Sequence, residues 1–544
     1  MLWPSAEALT RPFLTPVPPT ASRNNKLLRD NVIVATGTAM SRITGLLRVL
    51  ILGWAIVPVV NGEGDGRLAD AYNLANTTPN IIFELVLGGI LAATLVPVFT
   101  RAFDHDDDDA IGAIVGTGLA AIAALTVLAT LSAPLVIGAY TLLRSDDVDV
   151  YRSVATSLAF LFLPQIFFYG LMSIASALLN AKRRFFAAAW APVLTNVITI
   201  VFLVIARNSV DGVPNLETAK STRSLVLLLG LGATLGVAAM ALVMIPAVWR
   251  AGIRPRLRIE WRHPAVVEVL RLSGWTVGYV VANQVALAVV TALAQREDGA
   301  LTAYTTMFIF FQLPHGLLAV TVMTTFSPDL AGAAGADDWR RFRITLRQGL
   351  RVIVALLLPA ATIYVVLAGP ASHLSGRFAS LDDAEPVLRA FAVGLVGFSS
   401  YLYLLRGFYA RKDTRRPFYL NVAQNSLNIV LAIALFAPFG VAGLAWAYSI
   451  AYLVLAVVTW FTLDRLVRGG LRGDLLVPVF GRALVAAAVM AVAMWLARDV
   501  AGTDDGWGAI VRLAVASAIG LVVYGAVLIG LGGMNPRTRT VPRG

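Results

Sequence analysis

An all-α polytopic membrane protein is the fold class this sequence predicts, and three observations predict it. The 544 residues are 58% hydrophobic and 14% charged, with a mean hydropathy of +0.75, whereas a soluble domain carries roughly one-quarter charged residues. Apolar runs of about 20 residues, each enough to take a helix across about 30 Å of hydrocarbon, recur from end to end. The second half also repeats the first: a shift of 232 positions lays Ala71 and Tyr72 on Ala303 and Tyr304, Tyr169 on Tyr401, Arg183 and Arg184 on Arg415 and Arg416, Phe186 on Phe418, and Asn196 on Asn428. An even number of helices separates the paired points, so the halves share one orientation and are related by an axis along the membrane normal. The prediction is two six-helix lobes with pseudo-twofold symmetry plus two C-terminal helices, about 14 transmembrane helices in all.

In chain order, residues 1–30 are polar and proline-rich, with no short apolar core before a small-residue cleavage site, and are expected to be a cytoplasmic tail rather than a signal peptide. The N-lobe follows over 31–250, with spans at 31–60, 68–100, 110–142, 153–181, 185–207 and 224–249. The C-lobe takes 251–467, with spans at 265–295, 300–328, 342–369, 386–410, 417–437 and 441–463. Residues 468–535 hold two more, at 479–498 and 509–533, and 536–544 form a basic cytoplasmic tail. Each boundary is set where charges or Gly/Pro punctuation interrupt an apolar run. The loops "NAKRRFF", "RAGIRPRLRIEWRH", "DDWRRFR", "RGFYARKDTRRP" and "DRLVRGGLRGD" all fall on the side of the termini, which holds roughly 29 basic residues against about 11 opposite. By the positive-inside rule both termini are cytoplasmic.

The net charge of +12 is thus a topological signal and not one for nucleic acid, and the loop at 250–263 has anionic lipid headgroups as its alternative partner. The absence of cysteine excludes disulfides and thiolate metal sites, and four scattered histidines lack metal-ligand spacing. The run "DHDDDD" at 104–109 reads as a solvated loop. With no nucleophile–base pair, phosphate-binding glycine loop or metal cluster, the chain reads as a transporter and not an enzyme, with no cofactor beyond a coupling ion or the membrane potential.

The chemistry is expected in four helices. Helix 1 carries "SRITGLLR", in which Arg42 and Arg48 stand about 120° apart around the helix and about 9 Å apart along it. An arginine at mid-helix in lipid costs at least about 2.5–3.5 kcal/mol on insertion scales, so the pair is expected to line a cavity, with Gly45 admitting a close neighbour. Guanidinium suits an anion there because its planar fork takes phosphate oxygens in pairs and stays charged. The alternative starts helix 1 near Ile43, leaving Arg42 in the headgroups and Arg48 snorkelling to them. In helix 2, Asp70 is either a solvated carboxylate or a gating group, Pro79 and Asn80 loosen a turn, and Glu84 lies deep enough to need a cation or a proton. In helix 8, Gln312 precedes Pro314 and His315 at a kink. Helix 11 presents Asn421, Asn425 and Asn428 as a polar stripe, suited to interhelical bonding or to a sugar or peptide contact.

"SRITGLLR", "LADAYNLANTTPN", "GGILAATLVPVF" and "FQLPHGLLAV" together resemble the MurJ/MviN family of lipid II flippases, in the multidrug/oligosaccharidyl-lipid/polysaccharide (MOP) exporter superfamily. The resemblance spans roughly residues 30 to 465 and implies a V-shaped, two-lobed, 14-helix transporter in the bacterial plasma membrane. It implies that lipid II, or a similar polyprenyl-diphosphate glycolipid, is moved from the cytoplasmic to the outer leaflet by alternating access, with membrane lipids and cell-wall synthesis proteins as partners. Arg42 and Arg48 match two cavity arginines of the family, and Asp70 matches an acidic residue at the start of helix 2. Asn80, Glu84, Gln312 and Asn425 complete the expected substrate-binding set. The pattern departs from the family where Phe83 and Glu84 replace a common basic pair, Gly88 a glutamate, Ile309 an arginine and Gln312 an acid, departures similar to those of the high-GC Gram-positive branch. Export of another polyprenyl-linked glycan, or a non-transporting cell-wall scaffold, is the alternative.

Overall fold

The computed structural model describes residues 21–56, 66–83, 95–144, 148–374, 384–471, 477–498 and 506–532. Among these residues every regular element is a helix. We label the long ones α1 (Ala21–Ile56), α2 (Arg67–Phe83, with Val96–Asp104 after residues 84–94), α3 (Asp108–Leu131, prolonged by Ala133–Tyr140), α4 (Val148–Ala181), α5 (Phe186–Asn208), α6 (Arg223–Arg250) and α7 (Pro264–Ala294). The series continues with α8 (Ala300–Gly335), α9 (Trp339–Val366, prolonged by Ala368–Leu374), α10 (Ala384–Ala410), α11 and α12 (the two parts of Arg415–Leu466 on either side of Gly440), α13 (Val477–Arg498) and α14 (Gly506–Gly530). Among the described residues eleven helical stretches are long and apolar enough to cross a membrane, and the longest, Arg415–Leu466, contains two of the labelled helices. The protein is an all-helical polytopic membrane protein.

The interruptions have local causes. Pro164 breaks α4 after Phe162, and Pro314 is followed in α8 by a π-helical turn, His315–Ala319; such turns are uncommon and concentrate at functional positions. Between α11 and α12, Gly440 adopts φ 53° and ψ −141°, a conformation that only a residue without a β-carbon takes readily. The short helix Leu216–Ser221, capped by the Asn215 side chain, precedes α6.

Helix 1 starts earlier than expected. It is continuous from Ala21 to Ile56, because no proline lies between Pro19 and Pro58 and the intervening Lys, Leu and Arg residues favour helix. The whole of "SRITGLLR" is therefore helical, with Arg42 well inside the helix. α1 leans mainly on α5 and reaches α2 and the first half of α8 more lightly. Asn196 of α5 holds it by donating to Ser41 O at 3.2 Å and Thr44 Oγ1 at 3.0 Å. One turn earlier, a β-carbon at Gly37 would stand 2.9 Å from Ala189 O and from a ring carbon of Trp190.

In the other lobe α10 packs along both α11 and α12, α7 crosses α11, and α9 joins α10 to the α13–α14 pair. An aromatic nest fills it, with Phe311, Phe391 and Tyr448 in mutual contact at centroid separations of 5.3–5.8 Å. We predict that Gly37→Val overpacks the α1–α5 contact by about 1–3 kcal/mol. It should lower the thermal unfolding midpoint in detergent, whereas Gly138→Ala, at a position with open space around it, should leave the midpoint unchanged.

Candidate functional site: an arginine pair and an inter-lobe clasp

A helix N-terminus leaves backbone N–H groups without partners, and these need an acceptor when they are buried. At the start of α8 the acceptor comes from the other lobe. Asp70, fully buried on the first turn of α2, accepts from Gly299 N at 2.7 Å, from Thr302 N at 2.9 Å and from Thr302 Oγ1 at 2.6 Å. Asn73, one turn along α2, donates to the same Thr302 hydroxyl at 2.9 Å. The carboxylate therefore caps α8 as a local Asp or Asn would, with the favourable sign for the helix dipole. Beside it, Arg144 pairs with Asp298 and lies 4.1 Å over the Tyr151 ring, while Arg67 Nε is 3.9 Å from the same Asp298. Every one of the carboxylate contacts named here joins the N-lobe to residues 298–302 of the C-lobe, so the lobes are clasped at this end of the bundle.

Away from the clasp lie the arginines. Arg42 is exposed and Arg48 half-buried. A methyl group at Gly316, inside the π turn of α8, would stand 3.6 Å from the Arg42 guanidinium carbon, which places this N-lobe cation against the C-lobe helix at its most irregular point. Next to Gly316, the buried His315 ring meets Ser399 Oγ of α10 at 2.8 Å and packs 4.6 Å from Phe398. Arg48 is deeper, within electrostatic reach of the Tyr72 and Tyr169 hydroxyls on α2 and α4. Gln312 is half-buried one turn before Gly316 and so faces the same region.

The remaining expected residues fall elsewhere. Asn80 donates to Asn76 O of its own helix at 3.0 Å. Asn425 is buried and donates to Asn283 Oδ1 of α7 at 2.7 Å and to Asn421 O at 3.0 Å, and Asn421 donates to the same Asn283 oxygen at 2.9 Å. Of the two readings of this stripe, the contacts are those of interhelical bonding between α7 and α11. Glu84 and Gly88 lie outside the described residues, and Phe83 closes the first piece of α2. Sequence reasoning missed Thr302, Gly299, Asp298, Arg144 and Asn283. The signal for Thr302 was available, since it is the residue that the 232-position repeat sets opposite Asp70. No group of three or more His, Cys, Asp or Glu able to hold a metal ion occurs among the described residues.

The profile of the family "Lipid II flippase MurJ" matches residues 63–515. The chain belongs to the MurJ family. A probable lipid II flippase MurJ of Rhizobium meliloti (strain 1021) is 28% identical over 542 residues, covering 95% of this chain and 97% of its own length. The lipid II flippase MurJ of Burkholderia cenocepacia is 27% identical over 526 residues, covering 93% and 96%. Among solved structures, a lipid II flippase MurJ in an inward closed conformation superposes with TM-score 0.73 at 20% identity, covering 93% of this chain and 99% of that one. An inward-facing multidrug transporter of the MOP superfamily follows the same fold with TM-score 0.62 at 13% identity, covering 80% and 98%. MurJ membership makes this chain a transporter rather than an enzyme.

In this MurJ chain the clasp is the feature whose removal is easiest to read. Removing one partner from a buried charged network costs about 3–5 kcal/mol, so Asp70→Ala should move the equilibrium between clasped and open lobes by more than about 100-fold. The chain has no cysteine, and Leu142 and Phe439, on the two lobes near the clasp, are exposed. Nitroxides on Leu142→Cys and Phe439→Cys should report a shift of the inter-label distance to longer values in Asp70→Ala by double electron–electron resonance in liposomes. An unaltered distribution would show that the clasp does not hold the lobes.

Proposed function

We propose that this chain carries lipid II from the cytoplasmic to the outer leaflet of the bacterial plasma membrane, with Arg42 and Arg48 receiving the diphosphate between the lobes. The observation that carries this reading is the seat of Arg42, an N-lobe cation against the mid-helix π turn of the C-lobe helix α8, in a chain whose lobes are clasped at the start of that helix. Both termini lie on the side of the basic loops, which is the cytoplasm, and the clasp then closes the outer end. Alternate opening of the two ends around the arginines gives alternating access. The membrane potential favours outward movement of the anionic headgroup by about 2.3 kcal/mol per charge per 100 mV. Gln312 is placed to meet sugar or peptide, and Asn80 lies on the α2 stretch below the clasp.

A site for the lipid tail is also at hand. An apolar cavity of about 670 Å³ opens in the C-lobe between α9, α10, α12 and α13, walled by Leu350, Leu404, Trp460, Phe461 and Phe480. A polyprenyl chain fits such walls, and the headgroup alone then needs the polar path. We assign the chain to the high-GC Gram-positive type of MurJ on the departures at Phe83, Glu84, Gly88 and Ile309.

Charge-assisted contacts to a diphosphate are worth about 1.5–3 kcal/mol each. Arg42→Ala and Arg48→Ala should each weaken lipid II binding by about 10- to 100-fold in detergent, read by native mass spectrometry. In cells depleted of the wild-type protein, the double variant should fail to restore lipid II on the outer leaflet at an unchanged membrane level. Binding and exposure equal to wild type would remove the arginines from the headgroup site.

A further inference from the structure

The segment that joins the two lobes, between α6 and α7, is a docked strap and not a loose loop. Arg258 N donates to Gly112 O of α3 at 3.2 Å, and Glu260 N donates to the Thr117 hydroxyl at 2.8 Å. The contact depends on two missing side chains: a β-carbon at Gly112 would stand 2.2 Å from Arg256 O, and one at Gly116 would stand 2.3 Å from Arg258 O. From Gly112 to Gly116 is about 6 Å along the helix. The strap covers that length in two residues, about 3 Å each, which is the rise of an extended chain.

An extended chain sends alternate side chains to opposite faces. Over 253–260 one face carries Arg254, Arg256 and Arg258 with Glu260 and the other carries Leu257 and Ile259, and Trp261 follows in a turn closed by His263 N donating to Glu260 O at 3.1 Å. These three apolar residues are 61%, 65% and 55% exposed, although they are fixed to the protein by their backbone. Their depth explains this. Gly112 to Thr117 lie roughly 6–14 Å above the start of α3, where a membrane-spanning helix passes from headgroups into hydrocarbon. Tryptophan beside arginine is the composition of that layer.

The acids nearby do not consume the basic face. Asp109 pairs with Arg258 at 3.1 Å, and Asp107 caps α3 by accepting from Ala110 N. Asp106 and Asp108 stand at the start of α3, on its water side. Among the described residues Arg254 and Arg256 are exposed and enter no ion pair.

We propose that residues 253–262 are an interfacial strap that takes the headgroups of anionic phospholipids on Arg254 and Arg256 while Leu257, Ile259 and Trp261 seat it among the acyl chains. The strap is fixed to α3 of the N-lobe and leads directly into α7 of the C-lobe, so its ligand bears on the one covalent link between them. The inference rests on the membrane-spanning architecture and is independent of the cargo held by Arg42 and Arg48.

The cysteine-free chain allows a direct test. A fluorophore on Leu257→Cys of the full chain is placed in nanodiscs of phosphatidylcholine and phosphatidylglycerol, with a doxyl quencher carried on one lipid or on the other. Quenching should be at least twofold stronger from the phosphatidylglycerol-borne quencher. Arg254→Gln with Arg256→Gln should bring that ratio to unity without changing the thermal midpoint, since both residues are exposed. Equal quenching from the two lipids in the otherwise unaltered protein overturns the anionic preference, and absence of quenching from either overturns the lipid contact, leaving the strap as a surface for water or a soluble partner. Lipid II binding, measured on the same samples, fails only if the Arg42–Arg48 reading fails.

Discussion

The burial of one carboxylate organises the arrangement of the two lobes. Asp70 has no solvent access and accepts three hydrogen bonds from the first turn of α8 and the residue before it. Neither partner is stable alone in that position: the carboxylate needs donors to remain ionised out of water, and the helix terminus needs an acceptor for its free N–H groups. Each lobe thus satisfies a requirement of the other. Once the starts of α2 and α8 are held together, Arg67 and Arg144 fall beside Asp298, and the remaining length of α8 is laid across the N-lobe so that its π turn reaches Arg42.

The arginines follow the opposite rule. A guanidinium inside a membrane span is tolerated where it faces a cavity or a partner. Arg42 and Arg48 sit on α1, the helix that packs closely only on α5 and leaves much of its surface uncovered. The C-lobe opposes Arg42 with Gly316, next to a histidine already engaged by Ser399. Under the proposed function, an anion held by Arg42 can part from these C-lobe groups without breaking an ion pair to them, which suits a cargo that has to be released when the lobes change position.

Much of the architecture could be read in the sequence because its causes are local. Apolar run length sets a span, and proline sets the break at Pro314. Arg42 and Arg48 stand out in the sequence for the same reason: charge within an apolar run is visible residue by residue. What could not be read were pairings between distant segments. Asp70 alone is an acid at a helix start, and only the fold brings it to a helix terminus 232 positions away. The asparagines of α11 left two readings open until Asn283 was found across from them. The early start of helix 1 was missed because hydropathy marks where a helix enters the apolar layer, while its backbone continues into polar sequence that carries no breaker.

The repeat also explains why the clasp can exist at all. The 232-position repeat in the sequence sets Asp70 opposite Thr302, and the fold bonds these two residues to each other. Two carboxylates at these positions would face each other and repel. Asp70 and Thr302 are instead an acceptor and a donor, which lets the starts of the two helices bind. The same position gives the contact a useful strength. It lies at a helix end, where water can replace each lost hydrogen bond as the lobes part. The net worth of hydrogen bonds to a charged group is about 1.5–3 kcal/mol each. Three of them hold one conformation by several kcal/mol, within the range that the differential binding of a charged ligand can overcome.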